Sequence, residues 1–245
     1  MRSKTRIFSS LLFLLLLSTP VALLSAQPLS SADSIWDSAV NFYQSGTIWN
    51  PGHMSMESHE LDRRGNIKER WETEYIRPPG GSDGDWELIR ALKDGRQATE
   101  REIKKHEEGE MDNENGPPDN YFDGVNVLPL APSERENVIP VKTGRTSFFQ
   151  GSRFSVYTFT HTYQSGAETA GEILVDNEGF PVKLDYEFTN LPFYMKEMKC
   201  NFTFTRKEEY AVLETMTMTG HISAIVFNMR FFNKMVFSDF FLTET

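Results

Sequence analysis

The chain has 245 residues, with 25 Lys and Arg against 35 Asp and Glu, a net charge of −10; that acidity disfavours nucleic acid and anionic membrane surfaces as partners. Its single cysteine, Cys200, excludes an internal disulfide and cannot build a zinc site alone, so the fold must rest on its core. The apolar content is aromatic and Met-rich, with 19 Phe, 10 Met, 8 Tyr and 4 Trp, which suits either a filled core or an adaptable cavity.

Arg2, Lys4 and Arg6 precede an apolar run from Ile7 to Leu24, broken by Ser18-Thr19-Pro20 and followed by small residues at Ser25 and Ala26. This is the pattern of a secretory signal peptide, with cleavage expected after Ala26. The run is too interrupted for a transmembrane anchor, which needs about 20 apolar residues. No cysteine stands at the cleavage point to carry a lipid. The mature protein is therefore expected to be periplasmic or secreted, and not membrane-spanning. Roughly 220 residues remain, enough for one domain at 27–245.

Residues 31–45 predict a helix: Ser31 or Asp33 can cap it, and Ile35, Trp36, Ala39, Val40 and Tyr43 recur at helical spacing before Gly46. The stretches 53–61 and 67–76 flank Asp62-Arg63-Arg64-Gly65-Asn66, which predicts a β-hairpin. In its second arm Ile67, Glu69, Trp71, Thr73 and Tyr75 share one face. Pro78-Pro79-Gly80-Gly81 is a break, and 86–92 reads as a short strand. Residues 99–110 predict a solvated helix, with no apolar stripe beyond Ile103. An acidic loop is expected at about 107–120. A loop through Pro129, Pro132 and Pro140 follows.

From Gly144 onward the pattern is β. Val182, Leu184, Tyr186 and Phe188 alternate with Lys183, Asp185, Glu187 and Thr189. Met198, Cys200, Phe202 and Phe204 alternate likewise, followed by Met216 and Met218, then Phe227, Met229 and Phe231, then Met235, Phe237 and Phe241. Consecutive half-buried strands joined by short turns predict an antiparallel meander, apolar on one side.

No motif announces a reaction. His53, His59, His106, His161 and His221 fall in no metal-binding or triad spacing, and no nucleophile elbow occurs. Gly80-Gly81 with Asp83-Gly84-Asp85 lacks the full ladder of a calcium loop. The chain is expected not to be an enzyme and to need no metal or cofactor.

Two stretches carry a family likeness. One is Gly171 to Leu184, a strand, then Asp176-Asn177-Glu178-Gly179-Phe180-Pro181, then a strand. The other runs from Leu191-Pro192-Phe193 through Met195 to Met198 into the strand of Phe202 and Phe204, and ends with Phe227 to Phe241. Together they resemble the bacterial outer-membrane lipoprotein-sorting carriers of the LolA type, in an uncharacterised exported branch. The resemblance covers about residues 30–245. It implies an α+β, mainly β fold: a long curved antiparallel sheet forming an unclosed β-barrel, with helices covering the concave face. It further implies a periplasmic carrier or binding protein that holds a lipid, a lipoprotein acyl chain or another hydrophobic ligand in the sheet. From strand alternation, the candidate ligand contacts are Trp71, Tyr75, Trp86, Tyr186, Phe188, Phe202, Phe204, Met218, Phe231 and Met235. The alternative is a non-enzymatic envelope interaction module with a filled aromatic core, whose partner is an envelope protein.

Overall fold

The computed structural model describes residues 34–46, 48–78, 86–111, 128–223 and 228–242. The expected leader, the Gly80–Asp85 turn and residues 112–120 of the acidic loop lie outside them. Helix α1 (Ser34–Gly46) comes first, then β1 (Trp49–Asn50), β2 (His53–Leu61), β3 (Ile67–Ile76), β4 (Glu87–Lys93) and β5 (Arg96–Gln97). Helix α2 (Glu100–Met111) separates these from β6 (Val138–Phe149), β7 (Ser152–Thr162), β8 (Glu168–Val175) and β9 (Pro181–Phe188). The chain ends through β10 (Met195–Lys207), β11 (Tyr210–Ser223), β12 (Asn228–Ser238) and β13 (Phe241–Leu242).

Eleven strands form one sheet in the order β5-β4-β3-β2-β12-β11-β10-β9-β8-β7-β6. Every pairing is antiparallel. Its outer members β5 and β6 do not pair with each other, so the sheet does not close into a barrel. The expected mainly β, unclosed antiparallel architecture is what the chain adopts.

Two positions depart from the sequence reading. The predicted loop through Pro140 is the first half of β6, which starts at Val138 and runs past Gly144 with an irregularity between Lys142 and Thr146. Proline is tolerated there because β6 is an edge strand and needs no donor on its open side. Gly46 does more than end α1. A Cβ there would stand 1.9 Å from the Ala211 carbonyl oxygen, so glycine lets the helix end press onto β11.

Register carries one face across the whole sheet. Opposite residues in antiparallel strands project to the same side. A single cross-strand row therefore runs Pro140, Phe159, Gly171, Tyr186, Cys200, Met218, Asn233, Ser58, Trp71, Lys93. Trp36 of α1 packs on Tyr157 and Phe159, and His106 of α2 packs on Trp71. Both helices thus cover the same face, one at each side of the sheet.

The two sides are filled differently. Under α1, the residues Trp36, Tyr157, Phe159, Ile173, Leu184, Tyr186, Phe202 and Phe204 form a continuous buried cluster. Under α2 the cluster is small: Trp71, Ala91 and Ala98, with Leu88 and Ile103 against it. Between the two, the row crosses Met218, Asn233 and Ser58, all only half-buried.

Candidate functional site

That gap is a cavity of about 650 Å³ on the inner face. Met218, Met229 and Phe231 supply its apolar floor from β11 and β12, and Trp71 its wall from β3. Ser58, Glu60, Glu69, Lys93 and Asn233 line it from the sheet, and Glu102, Lys105 and His106 from α2. The space exists for a local reason. At the row's centre β12 and β2 present Asn233 and Ser58, whose side chains are short. Ser58 Oγ donates to Asn233 Oδ1 at 2.7 Å, so these polar groups satisfy each other instead of reaching across.

Trp71 is the best-fixed side chain of the site. It is 5% exposed. Its Nε1 donates to Glu69 Oε1 at 2.7 Å. Lys93 Nζ stands 2.7 Å from Glu69 Oε2 and 5.2 Å from the centre of the Trp71 ring. The Lys93 ammonium, helped by the indole N–H, holds the Glu69 carboxyl below the usual carboxylate range. The other contact is His106, whose ring stacks on the indole at 4.2 Å with 3° between planes.

Helix α2 is placed over the cavity by its first turn. Thr99 and Glu102 form a reciprocal capping pair: Thr99 N donates to Glu102 Oε2 at 3.0 Å and Glu102 N donates to Thr99 Oγ1 at 3.3 Å. Arg96 grips the same carboxylate through two N–H groups, at 3.0 and 2.6 Å. The Arg96 guanidinium and the Thr99 donors depress the Glu102 pKa strongly. Ile103 then meets Trp71 and its neighbours, one turn before His106.

The ten alternation-based candidates fall into four places. Trp71, Met218 and Phe231 line the cavity. Met235 lies on the same face of β12, between Met216 and Met56. Tyr75 is half-buried between Met54 and Leu88, and Trp86 stands before β4 under the Arg77 guanidinium, 5.0 Å from its ring. Tyr186, Phe188, Phe202 and Phe204 sit in the packed cluster under α1. There Tyr186 stacks on Phe202 at 5.5 Å and Tyr43 meets Phe204 edge-on at 6.1 Å.

The polar lining was not among the candidates. One signal for it stands in the sequence: Thr99-Glu100-Arg101-Glu102 is a capping box, which places His106 one turn beyond Ile103 on a helix that must lie on the sheet. Nothing local marks Glu60, Glu69, Ser58 or Asn233. Among the described residues, no three His, Cys, Asp or Glu side chains gather as a metal site would require.

The sequence matches no family model and no curated protein. Among solved structures it is similar to the crystal structure of a domain assigned to outer membrane lipoprotein sorting in Vibrio parahaemolyticus. The TM-score is 0.37 at 12% identity, over 84% of this chain and 93% of that one. Likeness at that level assigns neither family nor function.

Proposed function

We propose that the protein is an exported carrier or binding protein that holds a lipid, a lipoprotein acyl chain or another hydrophobic ligand on the inner face of its sheet. The observation that carries this reading is the contrast within one face: solid under α1, hollow under α2. A filled interaction module would have no reason to leave 650 Å³ open beside Trp71. The volume falls within the range of about 300–1,000 Å³ common for small-molecule sites.

The lining suits an amphipathic guest. Met218, Met229, Phe231 and Trp71 can take an alkyl chain, whose burial contributes about 0.8 kcal/mol per methylene without any fixed polar partner. Methionine repacks around tails of different shape. The charged groups of Glu60, Glu69, Lys93 and Lys105 stand where a polar head would emerge. In this reading residues 1–26 are an export leader removed after Ala26, and 27–245 act as one periplasmic domain.

Native mass spectrometry on protein purified from the envelope of the producing cell tests the proposal. The expected result is a lipid adduct, with uptake of a hydrophobic dye once the lipid is stripped and loss of that uptake in Met218→Asp. A clean apo mass with no dye uptake overturns it and leaves the envelope interaction module, whose partner an affinity capture would then seek.

A further inference from the structure

Among the described residues, each carboxylate that lines the cavity already has its own cation. Glu60 Oε1 accepts from Lys68 Nζ. Glu69 is held by Lys93 Nζ at 2.7 Å and by the Trp71 indole N–H. Glu102 takes two N–H groups of Arg96, at 3.0 and 2.6 Å, and the backbone N–H and hydroxyl of Thr99. Lys105 lines the same cavity and belongs to none of these pairs. It is exposed on α2, one residue before His106. With His106 counted neutral at pH 7, the lining is left with one positive charge over. Helix α2 sets Lys105 in that place: the Thr99–Glu102 capping pair starts the helix, and Ile103 and His106 seat it beside Trp71. Arg101 and Lys104 are exposed on the same helix but do not line the cavity. Asn233 adds a neutral donor. Its Oδ1 accepts from Ser58 Oγ, which leaves the amide nitrogen two hydrogens to give. The strongest groups left over at the cavity are thus donors, one of them charged.

We infer that the guest carries an anionic head, a carboxylate or a phosphate, held by the Lys105 ammonium with the Asn233 amide as a second donor. Its alkyl tail lies on Met218, Met229, Phe231 and Trp71. This inference rests on the hydrophobic-ligand reading and narrows it to acidic amphiphiles. A cationic head would find each lining carboxylate already paired, and a neutral head would leave Lys105 without a counter-charge. The overall charge of −10 does not oppose an anionic head. Charges farther than about 8 Å are screened at physiological salt, so the pairs at the cavity itself decide. Lys105 is exposed, so its contact sorts guests several-fold, while the buried tail supplies most of the affinity.

Displacement of a neutral hydrophobic dye, N-phenyl-1-naphthylamine, from the delipidated whole protein tests this at pH about 8, where carboxyl and phosphate heads are ionised. The competitors share one dodecyl tail: dodecanoate, dodecyl phosphate, dodecanol and dodecyltrimethylammonium. One or both anions are expected to displace the dye roughly three- to tenfold better than dodecanol, and the ammonium least well. Raising the salt should narrow the difference. K105Q is expected to abolish the preference, and K104Q, on the same helix but off the cavity, to keep it. Dodecanoate ahead of dodecyl phosphate assigns a fatty acid; the reverse assigns a phosphate-bearing lipid. The inference is overturned if dodecanol matches both anions, if the preference survives K105Q, or if K104Q and K105Q lose it alike. In each of those results the dye still enters, and the hydrophobic-ligand reading stands. Absence of dye uptake overturns that reading and this inference together.

Discussion

His106 lies flat on Trp71, ring centroid 4.2 Å from ring centroid. A residue of the most polar helix thereby closes the cavity against the most buried aromatic of β3. Such ring pairs contribute about 0.5–1.5 kcal/mol beyond their burial. His106→Ala is expected to cost about 1 kcal/mol and to speed amide exchange across Glu100–Met111. Exchange in β7 to β10 should stay as it was, because the α1 cluster is separate. Hydrogen-exchange mass spectrometry reads both regions at once.

The seating of α2 is expected to depend on pH through Glu102. Its folded pKa is depressed by Arg96 and Thr99, so what it contributes is present above the ordinary glutamate range, near 4.5, and is lost as pH falls below that. Exchange of α2 amides, taken relative to each amide's intrinsic rate at the same pH, should rise on acidification from pH about 5 to about 3. Glu102→Gln should raise it at neutral pH and flatten the pH dependence.

Gly220 faces Phe231 across β11 and β12, and a Cβ there would come within 2.3 Å of the Phe231 ring. The ring is a movable side chain and the cavity lies beside it. Gly220→Ala is expected to push Phe231 into the cavity. Dye or lipid uptake should fall several-fold while the unfolding midpoint changes little. A large stability loss with unchanged uptake would count against Phe231 as a cavity floor.

His161 and Glu134 form a pair in the packed half, Nε2 to Oε2 at 2.9 Å, with His161 1% exposed. Burial would raise the Glu134 carboxyl, but hydrogen bonds from His161 and Asn137 outweigh it and hold the group low. Glu134→Ala leaves a buried ring nitrogen without that partner, at a cost of about 1–3 kcal/mol. Glu134→Gln retains a hydrogen-bonding group and should cost less. Denaturant midpoints at unchanged slope would measure the difference.

Cys200 is buried beside Tyr186, and burial pushes its thiol up to about 11. A maleimide at pH about 8 should leave the native protein unmodified, since the thiolate is the reactive form. It should react at once in denaturant. Rapid native labelling would show that the Tyr186–Cys200–Phe202 region opens.

Local pattern carried much of this architecture. The hairpin of β2 and β3 occurs at the bounds its turn predicts, because Asp62 and Gly65 encode the reversal and alternation encodes the arms. The inner face of β9 and β10 was legible from Leu184, Tyr186, Cys200 and Phe202 for the same reason. Alternation is blind to what lies above a strand, however. Phe202 and Phe231 carry the same signal, yet one is buried under α1 and the other lines open space.

By itself, then, the sequence determined that strands dominate and which side of each is apolar, since a period of two is written within a few residues. Only the tertiary structure decided where the shared face is full and where it is hollow. That depends on Ser58 meeting Asn233, 175 residues apart in sequence, and on which helix comes to rest above them.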